Sequence, residues 1–375
     1  MNEFKFNESI LDEDERTSYL TWDNSEIILD ISKWVYPLLD TSVLKSYNEK
    51  IAKLIIDDYW YEYMDLSENW KYYDFKKTIC NKFDNCWISP DNIILWHWSF
   101  HIVERIFTKV LKQWTDLLWI WPQFNELPWE FVWIDWNSYN PSFIEWKEEP
   151  QLDKLYEDIK TSNNASAVYL DSPNNPTWKI LDESDIIDIL KISAEKWLLV
   201  IIDEAYWDFI QDNFTFAKLV NEFENLVVVR SMSKWYWLSR DRIWYWIASK
   251  SLIGKLSKVF VPFEPSEKSL LLGNIVMKEN PVLDSSEIIW KKKEIITKLE
   301  GKWINVAETS DSVPIVLAKY NDIYSKLLKK GIKSIPWQSY FNTNPFMDNN
   351  MCRLVVPKDT SKYDLLLSKI EDFKI

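Results

Sequence analysis

Lys234 closes the run Ser231-Met232-Ser233-Lys234, and Arg242 follows eight residues later. A primary amine can bond covalently to a carbonyl carbon, and hydroxyls beside a guanidinium offer the donors that a phosphate needs. Upstream, Val200-Ile201-Ile202-Asp203-Glu204-Ala205-Tyr206 runs from an apolar strand into two carboxylates and a phenol. Adjacent carboxylates invite a reading as an acid–base pair. Neighbours at a strand end point to opposite faces, however, so only one of the two reaches a common ligand. The run Leu95-Trp96-His97-Trp98-Ser99 lies at a strand-to-helix junction. The free backbone amides of Trp98 and Ser99 at such a helix start suit an anion. His97 and His101, the two histidines of the chain, lie four apart and so share a helix face. With no third ligand near them in sequence, a metal site is disfavoured against the phosphate turn.

These residues need a scaffold, and the apolar pattern supplies one. Strand-like runs at 92–95, 116–120, 166–170, 198–202, 226–230 and 243–248 alternate with helical patterns such as 99–113 and 183–196. That order predicts an α/β fold with a mostly parallel sheet, and near-continuous Val, Ile and Leu fits strands covered on both faces. Each candidate segment follows one of these strands, at the carboxyl ends where ligands of such sheets gather. Beyond about Pro262 the pattern changes to Lys-rich helices at 285–302 and 321–330, a strand opening at Arg353 and a last helix. This predicts a smaller second domain.

Three segments at their separations make a specific resemblance: Pro173-Asn174-Asn175-Pro176-Thr177-Trp178, Asp203-Glu204-Ala205-Tyr206, and Ser231-Met232-Ser233-Lys234 with Arg242. Together they resemble the pyridoxal-5'-phosphate (PLP) dependent aminotransferases of class I/II, which are fold type I enzymes. The resemblance implies a large PLP-binding domain over 41–265 and a small α+β domain from 1–40 and 266–375. It makes Lys234 the cofactor-bearing lysine and Asp203 the partner of the pyridine nitrogen. Tyr206 and Asn175 then bond the ring's phenolic oxygen, while Ser231, Ser233, Arg242 and the amides of Trp98 and Ser99 take the phosphate. Phe124, in Pro122-Gln123-Phe124, matches the stacking aromatic. Arg353 matches the arginine that grips the substrate α-carboxylate, with Trp34 also at the substrate. Tyr63, in competition with Tyr59 and Tyr61, matches the tyrosine that family homodimers send across to the partner's phosphate. The implied reaction moves an amino group between an amino acid and a 2-oxo acid. The rivals are a PLP-dependent lyase or decarboxylase on the same fold, or a non-catalytic regulator built on it.

Composition narrows the partners. The formal net charge of -14 is spread along the chain, which disfavours nucleic acid as a ligand. Apolar runs are too short for a membrane span and the N-terminus is too acidic for a signal peptide, so a cytoplasmic protein is expected. Three cysteines without a CxxC argue against a disulfide framework or zinc site. The counts of 4 Gly and 24 Trp are the anomaly, since an ordinary chain of this length carries about 7% Gly, roughly 26 residues. Several Trp stand where turn chemistry favours Gly: 178, 197, 235, 237 and 337. The expectation is that most stand for glycines encoded by UGA, a codon some bacterial lineages read as Gly and which was here translated as Trp.

Overall fold

The computed structural model describes residues 27–31, 41–57, 70–97, 105–111, 115–121, 138–143, 152–210, 215–236, 238–259, 265–280, 285–336 and 350–373. In chain order the strands are β1 (Leu29–Asp30), β2 (Ile93–Trp96), β3 (Asp116–Trp121), β4 (Ser138–Phe143), β5 (Ala165–Asp171), β6 (Leu199–Asp203), β7 (Leu226–Ser231), β8 (Trp244–Ala248), β9 (Asn305–Val306), β10 (Ile315–Lys319), β11 (Ile332–Lys333), β12 (Ile335–Pro336) and β13 (Met351–Val355). The helices used below are α1 (Thr41–Asp57), α2 (Trp70–Lys82), α3 (Asp153–Thr161), α4 (Glu183–Glu195), α5 (Lys250–Leu256), α6 (Glu267–Glu279), α7 (Ser286–Glu300), α8 (Ile323–Leu328) and α9 (Thr360–Glu371).

Seven strands form one sheet in the order β2-β8-β7-β6-β5-β3-β4. All pairs from β7 to β4 are parallel, and only β8 runs against its neighbours β2 and β7. The expected α/β architecture with a mostly parallel sheet is therefore present. All six strands expected from apolar runs lie in it. β4 escaped the sequence reading because Ser138-Tyr139-Asn140-Pro141-Ser142-Phe143 is polar and holds a proline, which a sheet tolerates at an edge.

Alternation along the strands splits the core in two. Val168, Leu170, Val200, Ile202 and Val228 face a cluster that includes residues of α2, α3, α4 and α6, whereas Tyr169, Ile201, Val227 and Val229 face a second cluster with Tyr206, Trp178 and α5. Period-2 side-chain direction in strands buried on both faces produces this division. α6 packs on α1 and α2, and Leu270, Leu271 and Val276 belong to the first cluster. The division between the two expected domains falls at Pro265, just ahead of this helix. A second sheet, β12-β13-β10-β9, carries α7, α8 and α9 over a third core, and β1 pairs with β11 beside it.

Candidate active site

Three parallel strands deliver the candidate residues to one sheet edge. Asp171 ends β5, Asp203 ends β6 in register with it, and Ser231 ends β7. After β5 the chain is held by its own polar side chains. The Asp171 carboxylate accepts from Asn174 Nδ2 at 2.8 Å and from the Asn175 backbone N–H at 2.9 Å. Asn174 Oδ1 in turn accepts from the Thr177 N–H at 3.0 Å. This is the local bonding by which Asx residues fix turns. It presents Asn175, which is buried, and Asn175 Oδ1 accepts from Arg353 Nη1 at 3.0 Å. Arg353 comes from β13 of the second sheet, so two residues 178 apart in sequence meet here.

The two carboxylates after β6 part as alternation requires. Asp203 lies on the Tyr206 side, where its Oδ1 accepts from the Ala205 N–H at 2.8 Å and its Oδ2 accepts from the Tyr169 hydroxyl at 3.2 Å. Burial raises the Asp203 carboxyl to about 6, against the Ala205 N–H, Tyr169 and Lys234, which pull it down. Glu204 lies on the other side. It accepts from Arg230 Nη1 at 2.8 Å, Thr215 Oγ1 at 2.6 Å and the Phe216 N–H at 2.7 Å. Arg230 also bonds Asp208 at 3.1 Å, and Asp208 pairs with Lys82. Two cations and two anions thus balance in the core behind the site, where an unpaired charge would cost several kcal/mol.

Lys234 is half-buried. Burial, the nearby Arg353 and then Arg242 depress its amine to about 8, with Asp203 opposing them. Its Nζ lies 5.3 Å from the centre of the Tyr206 ring. Just before it, Ser231 Oγ accepts from the Ser233 N–H at 2.9 Å. The buried Ser233 Oγ has no hydrogen-bond partner among the described residues, nor has Asn175 Nδ2. Buried donors left so are costly, about 1–3 kcal/mol each. Two orphaned donors beside a lysine and two arginines form a site suited to an anionic, polar group. Arg242 has a φ of 52° and donates from Nη1 to the Ser239 carbonyl at 3.0 Å.

Of the expected site residues, Lys234, Asp203, Tyr206, Asn175 and Arg353 converge, with Ser231, Ser233 and Arg242 in the segment around Lys234. Trp34, Tyr63, Trp98, Ser99 and Phe124 lie outside the described residues, as do His101 and Tyr59 and Tyr61. Among the described residues no cluster of His, Cys, Asp or Glu is placed to hold a metal. The sequence reading missed Tyr169, Asp171 and Arg230. Alternation along β5 and β7 is the signal that finds them, since it puts Tyr169 on the face of Asp203 and Arg230 on that of Glu204.

Trp178 is unusual in this setting. Its φ is 60°, it is buried, and its ring meets that of Tyr206 edge-on with centroids 4.7 Å apart. Trp87, Trp197 and Trp303 also take positive φ, of 54°, 60° and 56°. Trp235 does not share this conformation, and Trp237 and Trp337 lie outside the described residues.

Comparison with known proteins agrees with this geometry. Residues 134–281 match the sequence model of the aminotransferase class I and II family. A histidinol-phosphate aminotransferase of Thermoanaerobacter pseudethanolicus is 30% identical over 168 residues, 44% of this chain and 46% of that protein. The match thus spans about half the length of that curated relative. In structure, the histidinol-phosphate aminotransferase of Clostridium acetobutylicum superposes with a TM-score of 0.75 at 20% identity, covering 92% of this chain and 98% of that one. The methionine aminotransferase YbdL of Escherichia coli reaches a TM-score of 0.79 at 14% identity over 93% and 94% of the two chains. The seven-stranded sheet and these superpositions together give the chain the α/β fold of the fold type I aminotransferases.

Proposed function

We propose that this chain is a PLP-dependent aminotransferase that moves an amino group between an amino acid and a 2-oxo acid. The convergence of Lys234, Asp203, Tyr206 and Arg353 carries the reading. PLP bound to a lysine supplies an electron-withdrawing ring that acidifies the substrate α-carbon. Every other task falls to side chains of this chain. Lys234, with its amine near 8, is far more often uncharged near neutral pH than an ordinary lysine, so it would bond to the aldehyde and, once the substrate amine has displaced it, carry a proton to and from the α-carbon. Asp203 would pair with the ring nitrogen, and Tyr206 and Asn175 with the phenolic oxygen. The orphaned Ser233 hydroxyl, with Ser231 and Arg242, would hold the phosphate. Arg353 would hold the substrate carboxylate by a bidentate pair. Trp98, Ser99, Phe124, Trp34 and, across a two-fold homodimer, Tyr63 complete the proposed site. We assign the protein to the cytoplasm and divide it between a large domain around the seven-stranded sheet and a smaller one around the second sheet.

The test is spectroscopic. PLP added to the protein gives a visible band that borohydride fixes to the chain, and an amino donor with 2-oxoglutarate or pyruvate discharges and restores it. Lys234→Ala abolishes the fixed adduct and turnover. An adduct of undiminished yield in that variant overturns the assignment. A donor that drives steady product formation without producing pyridoxamine phosphate shows a lyase or decarboxylase instead.

We also propose that glycine belongs at Trp87, Trp178, Trp197 and Trp303. Trp197 follows α4 with the Leu198 N–H on the Ser193 carbonyl at 2.8 Å and its own N–H on that of Ala194 at 3.1 Å. Trp303 repeats the pattern after α7, with the Ile304 N–H on Leu299 at 3.1 Å and its own N–H on Glu300 at 2.9 Å. Both pairs of bonds make a Schellman end, whose left-handed residue is usually glycine. Gly331 after α8, at φ 76°, shows the chain using glycine for the same purpose. The buried indole N–H groups of Trp244 and Trp246 in β8 have no partner among the described residues. A tryptophan selected for that strand normally finds one.

A further inference from the structure

Among the features outside the proposed chemistry, Tyr169 is the one whose contact bears on a reacting group. It is wholly buried in β5, and its hydroxyl crosses to β6 to donate to Asp203 Oδ2 at 3.2 Å. The other carboxylate oxygen is tied to the Ala205 N–H. The carboxylate plane is thus fixed from two sides, by its own turn and by the neighbouring strand. The register Asp171↔Asp203 and Tyr169↔Ile201 shows how a residue two positions back on β5 reaches it, since a long side chain on the same face spans that diagonal.

We propose that Tyr169 is a positioning residue for the reaction, its hydroxyl orienting the Asp203 carboxylate and keeping it ionised toward the ring nitrogen. This rests on the assignment of Asp203 under the proposed function. Toward the ionised carboxylate Tyr169 can only donate. Burial, followed by the charges of Asp203 and Asp171, holds its phenol neutral far above the ordinary range. The titratable groups around the pair are Asp171 on β5, Glu204 and Tyr206 beside Asp203, and Lys234 after β7. Of these Lys234 favours the ionised carboxylate and Glu204 opposes it. Burial alone works against ionisation, so each donor to Asp203 matters to the charge it carries.

The experiment follows the Asp203 carboxyl by carbon NMR in cofactor-free protein labelled at aspartate, with Asp203→Asn identifying the signal. Tyr169→Phe raises the Asp203 midpoint by about one to two pH units, the value of one lost hydrogen bond to a charged acceptor. Incorporating 3-fluorotyrosine at Tyr169, a more acidic phenol and stronger donor, lowers it. Opposite shifts from two near-isosteric changes are not produced by a loss of packing. A midpoint unmoved by both overturns the proposal. If Tyr169→Phe does not fold, the fluorotyrosine protein decides alone by whether the midpoint falls. In the PLP-loaded enzyme, the acidic limb of kcat/KM moves with the midpoint. If the carboxyl shifts as expected but PLP forms no adduct with Lys234, the aminotransferase reading fails while the Tyr169–Asp203 coupling stands.

Discussion

Replacing Trp87, Trp197 and Trp303 together by glycine is expected to stabilise the protein. Each has φ between 54° and 60°, and their exposures are 89%, 93% and 81%, so almost no indole burial is lost. A side-chain-bearing residue in the left-handed region costs roughly 1–2 kcal/mol. Glycine gives back about 0.5–1 kcal/mol through the freedom of the unfolded chain. The net gain is about 0.5–1 kcal/mol per site, and three well-separated sites add to about 1.5–3 kcal/mol. For a chain this large that is a rise of roughly 2–4 °C in Tm. Differential scanning calorimetry at one scan rate, with soluble yield as a second readout, measures it. Trp290 is the internal control, because it is 58% exposed but sits within α7. Trp290→Gly should lower stability by about 0.5 kcal/mol through helix propensity, and further through the lost contact with the Tyr363 ring at 5.7 Å. A triple variant no more stable than the parent would falsify the backbone argument. So would a Trp290→Gly protein stabilised to the same degree, since the gain would then come from removing an exposed indole. Codons settle the origin separately: UGG at these positions ends the recoding proposal.

Asp203→Asn should leave the fixed PLP adduct intact but lower turnover roughly 100-fold or more, because an amide cannot hold the ring nitrogen protonated; single-turnover rates near those of the parent would remove Asp203 from the reaction. In cofactor-free protein the same change should flatten the acid side of the stability curve. The folded carboxyl titrates near 6 against an ordinary 3.8, so it keeps a proton that the unfolded chain releases, and its contribution is fullest below 3.8 and lost as pH rises through about 6. Urea unfolding at several pH values shows whether the slope in that window shrinks. Arg353→Lys should mainly weaken binding of amino and 2-oxo acids, since an ammonium lacks the two parallel donors of a guanidinium; unchanged KM values for both substrates would assign the carboxylate to another cation. Arg353→Gln should also move PLP capture to higher pH, because Arg353 helps hold the Lys234 amine near 8, and stopped-flow loading rates across pH 6.5 to 9.5 test this.

The fold was legible because its signal is local. Runs such as Val200-Ile201-Ile202 and Val227-Val228-Val229 are apolar at every position, and only a strand covered on both faces buries them all. β4 was not legible because Asn140 and Pro141 carry no such pattern, and its place depends on pairing with β3. Within the site, Lys234, Asp203 and Asn175 stand in contiguous motifs that can be read in order. The contact of Arg353 with Asn175 is of another kind, since it joins residues from different sheets. Residue type alone did not reveal Trp87 and Trp303 as left-handed positions. Asn85-Cys86-Trp87 and Gly301-Lys302-Trp303 show no distinctive turn dipeptide, and the conformation becomes plain only from the helix ends that precede them.

The end of β6 explains how one short segment serves both chemistry and stability. Asp203 and Glu204 are consecutive, and the period of two sends them to opposite sides of the sheet. On Glu204's side, Arg230, Asp208 and Lys82 close an ion network between α2, β6 and β7. Arg230 immediately precedes Ser231, and Glu204 immediately follows Asp203, so the network ties together the two strand ends that present the acid and the lysine-bearing turn. Asp203 stays outside that network, and among the described residues its carboxylate accepts from the Ala205 N–H and a neutral phenol. The cation near it is Lys234, whose charge favours the ionised carboxylate and which would be drawn into the bond with the cofactor. The fold therefore spends its strong ion pairs behind the site and leaves in front of it a carboxylate whose charge is still open to a ligand.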